Sequence, residues 1–156
     1  MASGKSNMAA TGEMRTVRGR SRTIFYWIVA IIALIGLADA TFLTIAHLTG
    51  DDAVCGSAAG CSEVLGSAYA TMRGIPTAAF GAVAYFIVFS MAVLGLFGYA
   101  GVKKFLIALV TAMFLASLYF LYLQAFVLHA FCPYCLLSAA LSFFLAGLLV
   151  AVPAAR

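Results

Sequence analysis

Four cysteines stand in the chain, and they fall into two pairs. Cys132-Pro133-Tyr134-Cys135 is a CxxC, the spacing of a reversible disulfide at the start of a helix. At such a start the unpaired backbone N–H groups and the helix dipole stabilise a thiolate. Pro133 suits the first helical turn, where its missing N–H costs nothing. A thiol of lowered pKa leaves more readily and is present more often as the nucleophile. The second pair, Cys55-Gly-Ser-Ala-Ala-Gly-Cys61, has small residues and two glycines between its sulfurs. That segment can close a disulfide and can also swing. A closed pair in a loop and a reactive pair at a helix start form the two stages of an electron relay. Two static structural disulfides are the bland alternative. A four-thiolate zinc site is a weaker one, because the flanks lack a zinc-ribbon pattern, and no metal is expected.

The elements that must position these thiols are transmembrane. Of 156 residues, 65% are hydrophobic and 9% charged, where a soluble domain has about 45–50% and about 25%. The mean hydropathy of +1.12 excludes a soluble enzyme and a disordered chain alike. A spanning helix needs about 20 apolar residues. Uncharged or nearly uncharged stretches predict four: residues 24–48, 76–98, 105–128 and 133–152, with a break near His129–Pro133. The fold class is therefore an all-α integral membrane bundle of four helices, occupying residues 23–153. Residues 1–22 carry Gly, Ser, Thr, Met and basic residues without periodicity and are expected to be a disordered cytoplasmic N-terminus. A secretory signal cleaved near Ala38-Asp39-Ala40 is the rival for the first span. Thr41–Leu48 stays apolar, which favours an uncleaved helix.

The net charge is +4, yet the basic residues sit beside apolar runs and read as topology signals rather than a nucleic-acid surface. Of the nine, all but Arg73 precede span one, join spans two and three (Lys103, Lys104) or follow span four (Arg156). The positive-inside rule places both termini in the cytoplasm. The 50–74 loop, the 129–133 hairpin and all four cysteines then lie on the opposite, oxidising face. In a bacterium this is the periplasmic or extracytoplasmic side of the inner membrane. Val64, Leu65, Tyr69 and Met72 predict a short amphipathic helix on that surface, between spans one and two.

Other residues carry both a sharp and a bland reading. Asp39 is the only charge inside a span, and intramembrane carboxylates are costly and often functional. It is either a proton donor or acceptor, or a structural acid. His129, beside the CxxC, either handles a thiol proton or marks a helix end. Arg73 answers an outer acid or anchors at headgroups. Gln124 reads as an interhelical hydrogen bond. Tyr85, Phe80, Phe114, Tyr119 and Tyr122 either line a ring-shaped pocket or pack as membrane aromatics.

These motifs together resemble the vitamin K epoxide reductase family, in a bacterial form. The residues that carry the resemblance are Cys55 and Cys61, Ser-Glu-Val-Leu-Gly-Ser at 62–67, Gly74-Ile75-Pro76, Phe80-Gly81 and Cys132-Pro133-Tyr134-Cys135. It covers about residues 24–152 and implies a four-helix bundle around a quinone such as ubiquinone or menaquinone. It implies that Cys55 exchanges with a thioredoxin-like or DsbA-like partner. Cys61 passes electrons to Cys132 through a mixed disulfide, and Cys135 reduces the quinone. Ser67 would hydrogen-bond a quinone oxygen. Many members carry a fused thioredoxin-like domain; here the partner is expected to be a separate extracytoplasmic protein. The epoxide-reducing animal enzymes use an Asn and a Tyr where this chain has Thr77 and Ala139. Thr77 keeps a hydroxyl and Ala139 does not, which favours plain quinone reduction. Phe80, Phe114, Tyr119 and Tyr122 are the aromatic candidates for the pocket. The nearest alternative is a DsbB-type quinone-linked oxidase, whose second cysteine pair sits in a longer loop. A non-enzymatic membrane subunit with structural disulfides is the other.

Overall fold

The structure, a computed structural model, describes residues 3–50, 60–99 and 101–151, with side chains from residue 19 onward. Four helices are long and apolar enough to cross a membrane, at Gly19–Thr49, Thr77–Leu96, Val102–Val127 and Pro133–Ala151. The first lies within helix α1, Ser3–Thr49. A short helix α2, Cys61–Leu65, follows, then a single 3₁₀ turn at Ala68–Ala70. Strands β1 (Thr71–Met72) and β2 (Ile75–Pro76) pair antiparallel, with Thr71 opposite Pro76. Helices α3 (Thr77–Leu96), α4 (Val102–Tyr122) and α5 (Pro133–Ala151) complete the bundle.

Two features differ from the sequence expectation. The N-terminal segment expected to be disordered continues helix α1 back to Ser3. The membrane helix supplies the nucleus, and extending a helix costs far less than starting one. Ala, Met, Glu and Arg, all good helix formers, recur in that stretch. The expected amphipathic helix is present as α2 but stops at Leu65, and a two-stranded hairpin follows. Arg73 (φ 53) and Gly74 (φ 83) are its two central residues, both left-handed. That is the geometry by which a two-residue turn matches strand twist. Arg73 is exposed and acts here as a turn residue.

Helices α1 and α3 form the closest pair in the bundle. A Cβ at Gly36 would overlap the Tyr85 ring, a Cβ at Gly95 would overlap the Tyr26 ring, and Gly81 faces Ala40. The pairs run in opposite order along the two helices, so the helices are antiparallel. Each tyrosine fills the notch left by the other helix's glycine. Lipid is as apolar as leucine, so membrane helices associate by such close packing rather than by hydrophobic exclusion. Val29, Ala33, Tyr85, Val88, Ala92, Leu106, Val110 and Leu145 complete a fully buried core. At one end of the bundle the Arg22 guanidinium lies 3.7 Å from the Cβ position of Gly98, close in sequence to Lys103 and Lys104. Cys61, Cys132 and Cys135 occupy the other end.

Gly36→Ala should lower the thermal midpoint in detergent, by the equivalent of about 1–3 kcal/mol for overpacking a tight contact. Gly147, with nothing near its Cβ position, is the control. Gly147→Ala should leave the midpoint unchanged or raise it. Equal effects at the two sites would mean that the tyrosine–glycine notches do not hold the pair.

Candidate functional site

The described residues bring three of the four cysteines together. Leu43, Cys61 and Cys132 form a fully buried cluster, with Val64, Leu65, Ala78, Tyr134 and Cys135 packed against it. Cys61 is disulfide-bonded, while Cys132 and Cys135 are free thiols. Cys55 lies outside the described residues. Gly60 is why Cys61 reaches so deep. A Cβ there would collide with the Phe131 backbone, so the chain entering α2 lies flush against the strand of residues that leads to Cys132.

Cys132 is the N-cap of α5. Its carbonyl accepts the Leu136 N–H at 3.0 Å, and Pro133 takes the first helical position as expected. The thiol of Cys132 is pulled down to about 7. The chief cause is its hydrogen bond with the Cys135 thiol, opposed by burial; the N–H groups of Cys135 and Tyr134 add to the lowering, and Asp39 works weakly against it. This is a sulfur version of helix capping, in which a side-chain acceptor meets the orphan N–H groups of the first turn.

The end of α4 sets where Cys132 sits. After Tyr122 the helix widens into a π turn, Leu123–Val127, closed by Leu128 N–H on the Leu123 carbonyl at 2.8 Å. The widened turn carries the Gln124 side chain into the bundle, where it is 2% exposed. Its Oε1 accepts the Cys132 N–H at 3.1 Å, and its backbone carbonyl accepts Ala130 N–H at 3.2 Å. Gln124 therefore makes the interhelical bond read from the sequence, and makes it to the CxxC itself. π turns cluster at functional sites for this kind of re-aiming. His129 takes a left-handed conformation (φ 50) and is exposed; it reverses the chain between α4 and α5.

A cavity of about 580 Å³ lies against Cys135, a size suited to a small organic molecule. All four long helices and the α2–β2 segment line it. Of the residues singled out from the sequence, Ser67, Thr77, Phe80 and Tyr119 are among those lining it. Phe80 and Tyr119, about half exposed, form its lip on the outer surface of the bundle between α3 and α4. Phe114 and Tyr122 are not among the residues that line it. Phe114 stacks edge-on against Phe143 (centroids 4.9 Å apart), and Tyr122 lies against Phe126 (5.2 Å) on the exposed side.

The hydroxyls expected to meet a ligand are largely committed. Ser67 donates to the Val64 carbonyl at 2.8 Å, and Thr77 to the Tyr69 carbonyl at 3.1 Å, tying α3 to the segment before it. Sequence reasoning missed the polar cluster on the opposite wall. The Tyr85 hydroxyl donates to the Ser138 carbonyl (2.8 Å) and lies 3.2 Å from both Ser138 Oγ and Ser142 Oγ. Tyr85, Ser138 and Ser142 all line the cavity. The signal was the spacing itself: Cys135, Ser138 and Ser142 share one face of α5 at i, i+3 and i+7.

The sequence matches the profile of the Vitamin K epoxide reductase family over residues 27–150. The chain belongs to that family. It is also 40% identical over 116 residues to the thiol-disulfide oxidoreductase LTO1 of Arabidopsis thaliana, a match covering 69% of this chain and 31% of that protein. The chain thus spans about a third of the length of this curated relative. The four-helix membrane bundle is the family's fold, and the residues 27–150 take in both cysteine pairs, the π turn and every described residue lining the cavity.

The geometry sets the thiol chemistry. Alkylation of Cys132 in the reduced protein should rise with pH through a midpoint of about 7, since the thiolate is the reactive form. Cys135→Ala removes the largest stabilising contact and should move that midpoint up toward the ordinary thiol value of about 8.5. Mass-spectrometric labelling across a pH series reads both. An unmoved midpoint would assign the lowering to the helix start alone. Gln124→Met leaves the buried Cys132 N–H without an acceptor and should cost about 1–3 kcal/mol of stability, measured as thermal midpoint.

Proposed function

We propose that the chain is a membrane thiol–disulfide oxidoreductase. It takes electrons from an extracytoplasmic thioredoxin-like protein and delivers them to a quinone held in the cavity. The observation that carries this reading is the position of Cys132. It is fully buried, packed on one side against disulfide-bonded Cys61 and on the other against Cys135, which lines the cavity.

In this reading the partner's dithiol reduces the Cys55–Cys61 disulfide, with Cys55 as the first point of attack. The Cys61 thiolate then attacks Cys132 in the Cys132–Cys135 disulfide, and Cys135 leaves as the thiolate. Cys55 closes on Cys61 and frees Cys132. The loop pair is oxidised again and the CxxC is a dithiol; a disulfide-bonded Cys61 beside free Cys132 and Cys135 supports this resting form. A quinone, when bound, accepts the two electrons and two protons that the CxxC loses on closing.

The cavity fits such a group. Its wall is mostly aliphatic and aromatic, and Tyr85, Ser138, Ser142 and Gln124 supply a few polar atoms near Cys135. That mixture suits an apolar ring with carbonyl oxygens. Thr77, with its hydroxyl committed to Tyr69, and Ala139, without one, support quinone rather than epoxide reduction. The basic end of the bundle supports a cytoplasmic location for both termini. The cysteine end then faces the periplasm of a bacterial inner membrane, or its equivalent.

The test is quinone reduction by the detergent-purified protein, with a reduced thioredoxin-like donor or a small dithiol. Cys132→Ser and Cys135→Ser should abolish turnover with both donors. Cys55→Ser should block the protein donor and retain turnover with the small dithiol. A wild type that reduces no quinone with any donor would sink the reading and leave the cysteines as structural.

A further inference from the structure

One ionisable group near this centre has no part in the relay. Asp39 lies in the middle of the first span, is 8% exposed, and its Oδ2 is buried without a hydrogen-bond partner. Among the described residues it is the only side-chain atom in that condition. An acid kept in an apolar bundle with spare bonding capacity is expensive to fold around. Its neighbours show what it can serve. Gly36, Asp39 and Leu43 share one face of α1, at i, i+3 and i+7. Gly36 abuts the Tyr85 ring and Leu43 packs on Cys132, so Asp39 sits between the hydroxyl cluster and the thiols. The ionisable groups electrostatically coupled to it are Tyr85 on α3, and Cys132 and Cys135 at the start of α5. All three are weak acids, so the group has proton donors around it and no fixed counter-charge among them.

We propose that Asp39 is the proton store of the redox centre: as the CxxC is reduced, Cys135 keeps one of the two protons released by the reducing thiols and Asp39 takes up the other, which it later gives up to the cavity by way of the Tyr85 hydroxyl. This rests on the quinone reading above. When the CxxC is reduced, Cys132 is a thiolate, Cys135 a thiol and Asp39 a carboxylic acid. When the S–S bond forms, the pair loses two electrons to the quinone. The two protons that accompany them come from Cys135 S–H and from the Asp39 carboxyl. Asp39 is left as the carboxylate, ready for the next proton released by the reducing thiols. Tyr85 is the link, because its ring lies against Gly36, one turn before Asp39 on α1, and its hydroxyl contacts Ser138 and Ser142 and lines the cavity. Two negative charges are never held side by side in the apolar bundle, which is the condition that a buried thiolate and a buried acid must otherwise violate.

The decisive measurement is a reduced-minus-oxidised infrared difference spectrum of the quinone-free protein, poised with a small dithiol and its disulfide. A carboxylic-acid carbonyl band should appear in the reduced state only. It should shift when the protein carries carboxyl-¹³C aspartate, and should do so equally in an Asp51→Asn/Asp52→Asn variant, where Asp39 is the sole aspartate. Asp39→Asn should lose the band and reduce quinone about 10²-fold more slowly, with KM for the quinone unchanged, and Asp39→Glu should recover part of the rate. A missing band, a band indifferent to the label, or Asp39→Asn at the wild-type rate overturns the proposal. A wild type that shows the labelled band but reduces no quinone would retain Asp39 as the thiol's proton acceptor while removing the quinone reading. The two failures are therefore distinct.

Discussion

The hydrogen bond from Cys132 N–H to Gln124 Oε1 is the constraint on which the cysteine end depends. In an apolar bundle a backbone donor at a helix start has no water to turn to, so an orphan there is costly. The π turn at Leu123–Val127 exists in the same place as that need, and it brings a buried amide to meet it. Holding the N-cap residue fixes the first turn of α5. Fixing that turn fixes the N–H groups that bond the Cys132 sulfur, and with them the thiolate. It also fixes Cys135, Ser138 and Ser142 along the cavity wall.

The pairing of α1 with α3 supplies the rigid frame. Tyr85 does two jobs from one position. Its ring fills the notch at Gly36, and its hydroxyl reaches α5 at Ser138 and Ser142. A single side chain thereby ties three of the four spans together at the depth of the cavity. On the far side of the thiols, Gly60 lets the loop backbone lie on residue 131 and brings Cys61 into the Leu43–Cys132 cluster. Rigid packing below and a glycine contact above leave the sulfurs of residues 61, 132 and 135 in one dry compartment.

Much of this was legible in the sequence, because bilayer thickness sets span length and the CxxC followed by apolar residues marks a helix start. Gln124 was legible as a bond between helices, since an amide in a span has to find a partner. Its actual partner was not, because the π turn that swings it inward is a matter of how the 123–130 segment closes rather than of composition. Phe114 and Tyr122 were read by residue type, which does not say what a ring packs on; their neighbours are Phe143 and Phe126. Ser67 and Thr77 were read as free hydroxyls, but each donates to a nearby carbonyl. The Ser138–Ser142–Tyr85 cluster was hidden because small hydroxyls in a span ordinarily bond their own helix. The continuation of α1 to Ser3 shows a different limit. Low periodicity argues against packing, and a helix propagated from a stable span needs none.

The lip formed by Phe80 and Tyr119 lies on the outer surface of two helices long and apolar enough to cross a membrane. The quinone proposed for the cavity would arrive by diffusion in two dimensions, from a reservoir only one bilayer thick. Its abundance is then a mole fraction among lipids, not a concentration in the surrounding medium. Adding lipid or detergent at a fixed amount of such a molecule dilutes it for this protein, whereas adding buffer does not.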